Sequence, residues 1–240
     1  MLKHSRCSSR GAQSGFTLVE IAVVMVIVGL LIGSFIGTFA ERIDTTRRDN
    51  TAKELLDIKK VLMAFAFSQA APRLPCPDTD VPPDGVENCP AGAAVGVLPW
   101  VTLGLGYADA WDNRYRYWAS NQYTAAFTLA TVNNGIGNGI ATVRTRTNDL
   151  PVAIVTNAVA VIYSHGKNGF GAVSVENVNR PAVPAANIDE VDNTDANLVF
   201  MARGPTEEGG ASAGGVYDDI VFWINSFELK AAMVEAGKLP

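Results

Sequence analysis

A chain of 240 residues with 48% hydrophobic content and 18% charged residues is long enough for one anchored domain of ordinary size, and too short for a large two-domain enzyme. Its formal net charge of −5, more acidic still without Lys3, Arg6 and Arg10, argues against nucleic-acid binding as its main task, because affinity for phosphates rests on basic side chains.

The first element in chain order is an apolar run from Phe16 to Phe39 whose one charged residue is Glu20. As a helix it would extend about 36 Å, against roughly 30 Å of hydrocarbon in a bilayer, so one membrane crossing is expected. Residues 1–15 carry Lys3, Arg6 and Arg10 with no acid, which favours the cytoplasmic side. Arg42, Arg47 and Arg48 follow the run among Glu41, Asp44 and Asp49, so charge alone leaves the orientation open.

The sequence Gly15-Phe16-Thr17-Leu18-Val19-Glu20, followed by ten apolar or glycine residues to Leu30, resembles the class III signal of type IV prepilins and pseudopilins. The resemblance implies cleavage between Gly15 and Phe16 by a prepilin peptidase and N-methylation of Phe16. The helix would stay in the bacterial inner membrane as a single pass, with the rest in the periplasm until an inner-membrane assembly platform builds it into a fibre with other pilin or pseudopilin subunits. An ordinary secretory signal would place a small-x-small cleavage site after a shorter apolar core, and residues 34–40 offer a poor one. Glu20 needs a reason to lie in an apolar helix, since a carboxylate in mid-membrane costs on the order of 2.5–3.5 kcal/mol. After cleavage it stands one helical turn from the new ammonium, and the resemblance implies that it pairs with the terminal amine of a neighbouring subunit; snorkelling to the headgroups is the alternative. Gly29, Gly33 and Gly37, four residues apart, would allow close helix approach.

Beyond the run, over residues 40–71, Leu55, Ile58, Leu62 and Phe65 recur at three- and four-residue steps, which predicts an amphipathic continuation of the same helix until Pro72 stops it. The loop that follows holds Cys76 and Cys89; Cys7 would leave with the leader, and an even pair in an oxidising compartment is expected as a disulfide rather than as free thiols or a metal pair. Asp78, Asp80, Asp84 and Glu87 in that loop are candidate calcium ligands without the EF-hand spacing.

From residue 97 onward, short β-prone runs between turn residues predict strands at Arg114–Trp118, Ala125–Thr131, Ile140–Thr145, Val159–Tyr163, Leu198–Ala202 and Val216–Ile224, paired antiparallel. A last helix is expected from Asn225 as N-cap, with Glu228 as its capping-box partner, to Gly237. The fold class is therefore α+β, with residues 72–240 as a β-rich globular domain. Joined to the long first helix, it is similar to the pilin-like fold, in which that helix packs on an antiparallel sheet.

Three pieces, Asp109-Ala110-Trp111-Asp112-Asn113-Arg114-Tyr115, Ser164 to Gly171, and Asp218-Asp219-Ile220-Val221-Phe222-Trp223, resemble in order the globular part of the major pseudopilin of type II secretion. Ala110 and Asp112 replace its usual Pro and Gly, and Asn168 stands where an Asp is common. The resemblance implies a calcium ion at Asp218 and Asp219 with Asn168.

The segment 176–215 is an insertion relative to that pattern, and Asp189, Asp192, Asn193, Asp195 and Asn197 within it are further candidate calcium ligands. It opens a second function, a minor subunit at a fibre tip acting in binding or adhesion. The main expectation is a structural subunit of a type IV pilus or type II secretion pseudopilus, and not an enzyme: His165 has no nucleophile motif beside it, and the glycines of 166–171 lack the Lys-Ser/Thr ending of a phosphate loop.

Overall fold

The computed structural model describes residues 15, 17–89, 95–131, 140–195, 197–207, 210 and 212–239, with no side-chain account for 34–40. The chain divides into two units at Thr45/Thr46. The helix α1 (Leu18–Ser68) runs through both, and the short helices α2 (Trp100–Leu103) and α3 (Asn121–Thr124) belong to the second.

In the first unit every described side chain from 17 to 33 is exposed, Leu18 and Leu30 at 87% and 71%. Among the described residues nothing covers this apolar surface. No helix among the described residues is long and apolar enough to cross a membrane. Phe16 and the side chains of 34–39, which complete the expected span, lie outside the described residues.

The second unit is built on a six-stranded sheet of β1 (Val95–Val97), β2 (Arg116–Ala119), β3 (Ala141–Thr147), β4 (Leu150–Ser164), β5 (Val199–Met201) and β6 (Ile220–Asn225). Long β4 is its spine: β3 pairs along its first half, while β2 and β6 flank its second. The strands pair antiparallel as expected, except that β3 and β5 run parallel, Thr142 opposite Val199. The connection between them is long enough for that crossover and contains the helix α4 (Ile188–Thr194).

Period-two alternation sorts the side chains onto two faces. Tyr117, Ala160 and Ile162 join Leu55, Ile58, Leu62 and Ala66 of α1 in the larger core, whereas Trp118, Val161 and Tyr163 face the opposite way with Val143 and Phe200. A bulge between Ala158 and Ala160 lets Val159 and Ala160 both enter the larger core. On α1 the expected Phe65 is only half-buried, with the Arg73 guanidinium over its ring at 5.1 Å; Ala66 takes the core position. Polar contacts fasten the same stretch: the Tyr115 hydroxyl donates to Glu54 (2.5 Å), and Lys59 pairs with Glu228 (2.7 Å).

Two expected elements are corrected. Residues 125–131 form no strand, because Phe127 donates its N–H to the Pro72 carbonyl and stacks on Tyr123, while Lys230 takes the carbonyls of Leu129 and Thr131. The last helix, α5 (Ser226–Glu235), starts as expected, with the Asn225 side chain accepting from the Glu228 N–H at 2.8 Å. Glu228 does not complete the box, since its carboxylate is held by Lys59.

Cys76 and Cys89 are joined in a disulfide with Cα atoms 5.2 Å apart. Closing a loop of that length contributes about 3 kcal/mol in the chain-entropy model. Non-reducing peptide mapping is expected to recover the two cysteines in one linked species; two alkylatable thiols would contradict it.

Candidate functional site

The first candidate site is the start of α1. Thr17 and Glu20 form a reciprocal capping box: the Glu20 N–H donates to Thr17 Oγ1 at 3.3 Å, and the Thr17 N–H to Glu20 Oε2 at 3.5 Å. Glu20 thus has a local partner in the unprocessed chain, a role that its place near the head of an apolar run did not reveal. Gly15 lies just outside the helix; Phe16 and residues 1–14, the remainder of the processing signal, lie outside the described residues.

The second lies in the globular unit, where the three pieces singled out in the sequence meet. Buried Asp109 organises the first turn by accepting from the N–H groups of Trp111 and Asn113, both at 2.9 Å, and from the Ser164 hydroxyl at 2.5 Å. Asp112, at the position where the resembling family has Gly, sits at φ 61°, a left-handed conformation that glycine adopts without cost. Asn113 donates its amide to the Gly166 carbonyl and so ties the first piece to the second. The third piece is held by the Asn168 N–H, which donates to Asp218 Oδ2 at 2.8 Å. Gly166, at φ 61°, is needed here because a Cβ would lie 2.6 Å from Asp218 Oδ1.

The insertion adds a residue that the sequence did not mark. Glu190 on α4 is fully buried; its Oε1 accepts from the Asn168 side-chain amide at 2.7 Å and from the Asp218 N–H at 3.2 Å. Glu190, Asp218 and Asp219 bring carboxylate oxygens within 4.8 Å of one another. Burial, with Asp219 and Glu190 beside it, pushes the Asp218 carboxyl up to about 7 in spite of the Asn168 N–H. Burial and Asp219 likewise raise Glu190. Asn168 is not placed as the expected ligand: its Oδ1 accepts from the Phe170 N–H, and its amide is turned toward Glu190. His165 is buried edge-on to Tyr163, with Nδ1 3.7 Å from Asp219 Oδ1.

The other candidate ligands are used differently. Asp78, Asp80 and Asp84 cluster in the disulfide loop, but Asp78 accepts from the N–H groups of Asp80 and Gly85, and Asp84 from that of Val86. Glu87 leaves this group for a two-pronged ion pair with Arg73, at 2.7 and 2.9 Å. Although burial alone would raise it, Arg73 and the Cys76 N–H hold Glu87 below its usual range. In the insertion, buried Asp189 is gripped by Arg146 and Arg203, and buried Asn193 spans Met201 and Asp219. Asp195 accepts from Asn197 two residues on. Asp192 is half-buried beside them. Among the described residues, then, the insertion's acids do not gather into one site of their own.

Residues 10–36 match the prokaryotic N-terminal methylation motif, the class III signal of type IV pilins and pseudopilins. Over those residues the chain is similar to type IV pilins and pseudopilins. No curated protein and no solved structure matches it.

Proposed function

We propose that this chain is a structural subunit of a type IV pilus or type II secretion pseudopilus. A prepilin peptidase cuts between Gly15 and Phe16, Phe16 is N-methylated, and α1 polymerises the mature protein. The methylation motif over residues 10–36 carries this reading. The uncovered apolar surface of 17–33 supports it, since it calls for lipid or for the helices of neighbouring subunits. Until assembly the apolar run anchors the chain in the bacterial inner membrane, with the globular unit in the periplasm, where an oxidising environment suits the Cys76–Cys89 bridge. Catalysis and nucleic-acid binding have no part in this reading.

The structural role is preferred to the tip-binding one because Asp189, Glu190 and Asn193 of the insertion spend their polar groups inside the fold. Mass spectrometry of the mature protein tests the reading. It is expected to begin at a methylated Phe16, and Gly15→Val is expected to accumulate the longer precursor. A mature chain with any other first residue, or normal maturation of the variant, would overturn it.

A further inference from the structure

The chain carries a net charge of −5, yet one pocket of the globular unit reverses that sign. It is lined by three cations, Arg47 from α1, Lys167 from the Ser164–Gly171 loop and Arg180 from the insertion, against one acid, Asp112. Its volume is about 270 Å³. That lies just below the roughly 300–1,000 Å³ of sites for drug-sized ligands, so the pocket suits a small group. A concave place lined by charge of one sign draws in the opposite ion.

Neither arginine is neutralised within the unit: among the described residues Arg47 and Arg180 form no ion pair. Arg180 is nevertheless held in place. Its Nε donates to Asn113 Oδ1 at 3.0 Å, and Asn113, 2% exposed, is itself fixed by its N–H on Asp109 and its amide on the Gly166 carbonyl. The backbone is tied as well, since the Arg180 N–H donates to the Ala172 carbonyl and the Gly171 N–H to that of Pro181. The two terminal nitrogens of Arg180 make no hydrogen bond with any described residue, and they form an edge that a guanidinium presents to two oxygens of one anion. Trp111 lines the same pocket, and its indole N–H is buried without an acceptor among the described residues. A buried donor in that state calls for one.

We infer that this pocket binds one phosphate group, with Arg180 and Arg47 holding its oxygens, Lys167 adding positive charge and Asp112 opposing it. A carboxylate offers two oxygens in one plane. Phosphate spreads its oxygens tetrahedrally, so cations arriving from separate parts of the chain can each meet one, and the arginine fork matches two of them at once. Free phosphate and the headgroup of an anionic lipid present this same group, and the test separates them. The inference goes beyond fibre assembly, and neither processing nor polymerisation enters its test.

The full chain in micelles of an uncharged detergent is titrated by isothermal titration calorimetry at fixed ionic strength, so that screening stays constant. One arm uses sodium phosphate, the other glycerophosphoglycerol, a lipid headgroup without its chains, and sodium acetate is the control. Binding of one phosphate group per chain is expected, with acetate at least tenfold weaker. Tighter binding of the diester identifies a lipid headgroup as the source and tighter binding of inorganic phosphate a free anion; either result upholds the inference. Arg180→Gln and Arg47→Gln should each weaken binding about tenfold or more, the equivalent of one charge-assisted hydrogen bond. Asp112→Asn should tighten it, because asparagine tolerates the φ of 61° there and removes the opposing charge. No binding of either phosphate by the wild-type chain, acetate bound as tightly, an arginine variant that binds like wild type, or weaker binding by Asp112→Asn would each overturn the inference. Should Arg180→Gln fail to fold, Arg47→Gln decides alone, since exposed Arg47 makes no hydrogen bond with any described residue.

Discussion

Replacing Asp189 with alanine is expected to lower the stability of the globular unit by about 3 kcal/mol, the lower end of the range for breaking a buried ion pair from one side. Asp189 is fully buried, and its carboxylate takes Arg146 through two nitrogens at 2.7 and 2.8 Å and Arg203 through Nε at 2.5 Å. Arg203 also reaches the Gly215 carbonyl and Thr206, and lies over the Tyr217 ring at 4.5 Å. The triad therefore joins β3, α4, the chain after β5 and the 206–217 loop through a single acid. Gly214 belongs to the same arrangement, since a Cβ there would fall 1.9 Å from Asp189 Oδ2. Without Asp189 two guanidinium groups keep their burial and lose their counter-charge. Their long side chains can swing partly into water, which is why the lower figure is chosen. At about 2–4 °C per kcal/mol for a domain of this size, the melting midpoint should drop by about 6–12 °C. Asp192 provides the contrast on the same helix. Burial, with Asp195 and Asp189 nearby, raises its carboxyl, so Asp192→Asn removes a repelled charge and should leave the midpoint unchanged or slightly higher. Circular dichroism melts of the full chain would check both, and an unshifted midpoint for Asp189→Ala would refute the clamp.

That clamp also shows where sequence patterning failed. The span of α1 was legible because Leu55, Ile58 and Leu62 repeat at helical spacing and Pro72 ends the run, and α5 because Asn225 announces its cap. The strands β2, β3, β5 and β6 were legible to within a few residues from β-prone runs between turns. In contrast, Ile188–Thr194 reads as a solvated acidic loop, since four of its seven residues are Asp, Glu or Asn. Three of these are buried, held by arginines and amides that lie far off in the chain, and no local pattern encodes that. For the same reason Glu190 was not marked in the sequence, while Asp218 and Asp219, which its carboxylate lies against, were.

The first half of β4 was missed for another reason. Leu150-Pro151-Val152-Ala153-Ile154-Val155 neither alternates nor avoids proline, and it pairs with β3 alone among the described residues. What sets its register is the two-residue turn Asn148-Asp149, both at positive φ, between the paired Thr147 and Leu150. That is the backbone a tight antiparallel hairpin requires.

Substitution of Glu20 is expected to have the largest effect on assembly, and two variants separate its two roles. In the unprocessed chain Glu20 closes a capping box with Thr17, a task that glutamine performs equally well because its side-chain oxygen accepts the same N–H. In the mature protein the proposed partner is the ammonium of Phe16 in a neighbouring subunit, and glutamine has no charge to offer it. Removing one member of a desolvated ion pair costs about 3–5 kcal/mol, and each 1.4 kcal/mol is tenfold in an equilibrium. Glu20→Gln should therefore be processed normally, keep its helix, and still lower fibre yield by about a hundredfold or more, and Glu20→Ala should do the same. Sheared-fibre yield normalised to membrane-inserted protein gives the comparison. If Glu20→Gln assembles like wild type while Glu20→Ala does not, capping rather than charge pairing is the residue's contribution to the fibre. Wild-type yields from both variants would leave Glu20 with no part in assembly.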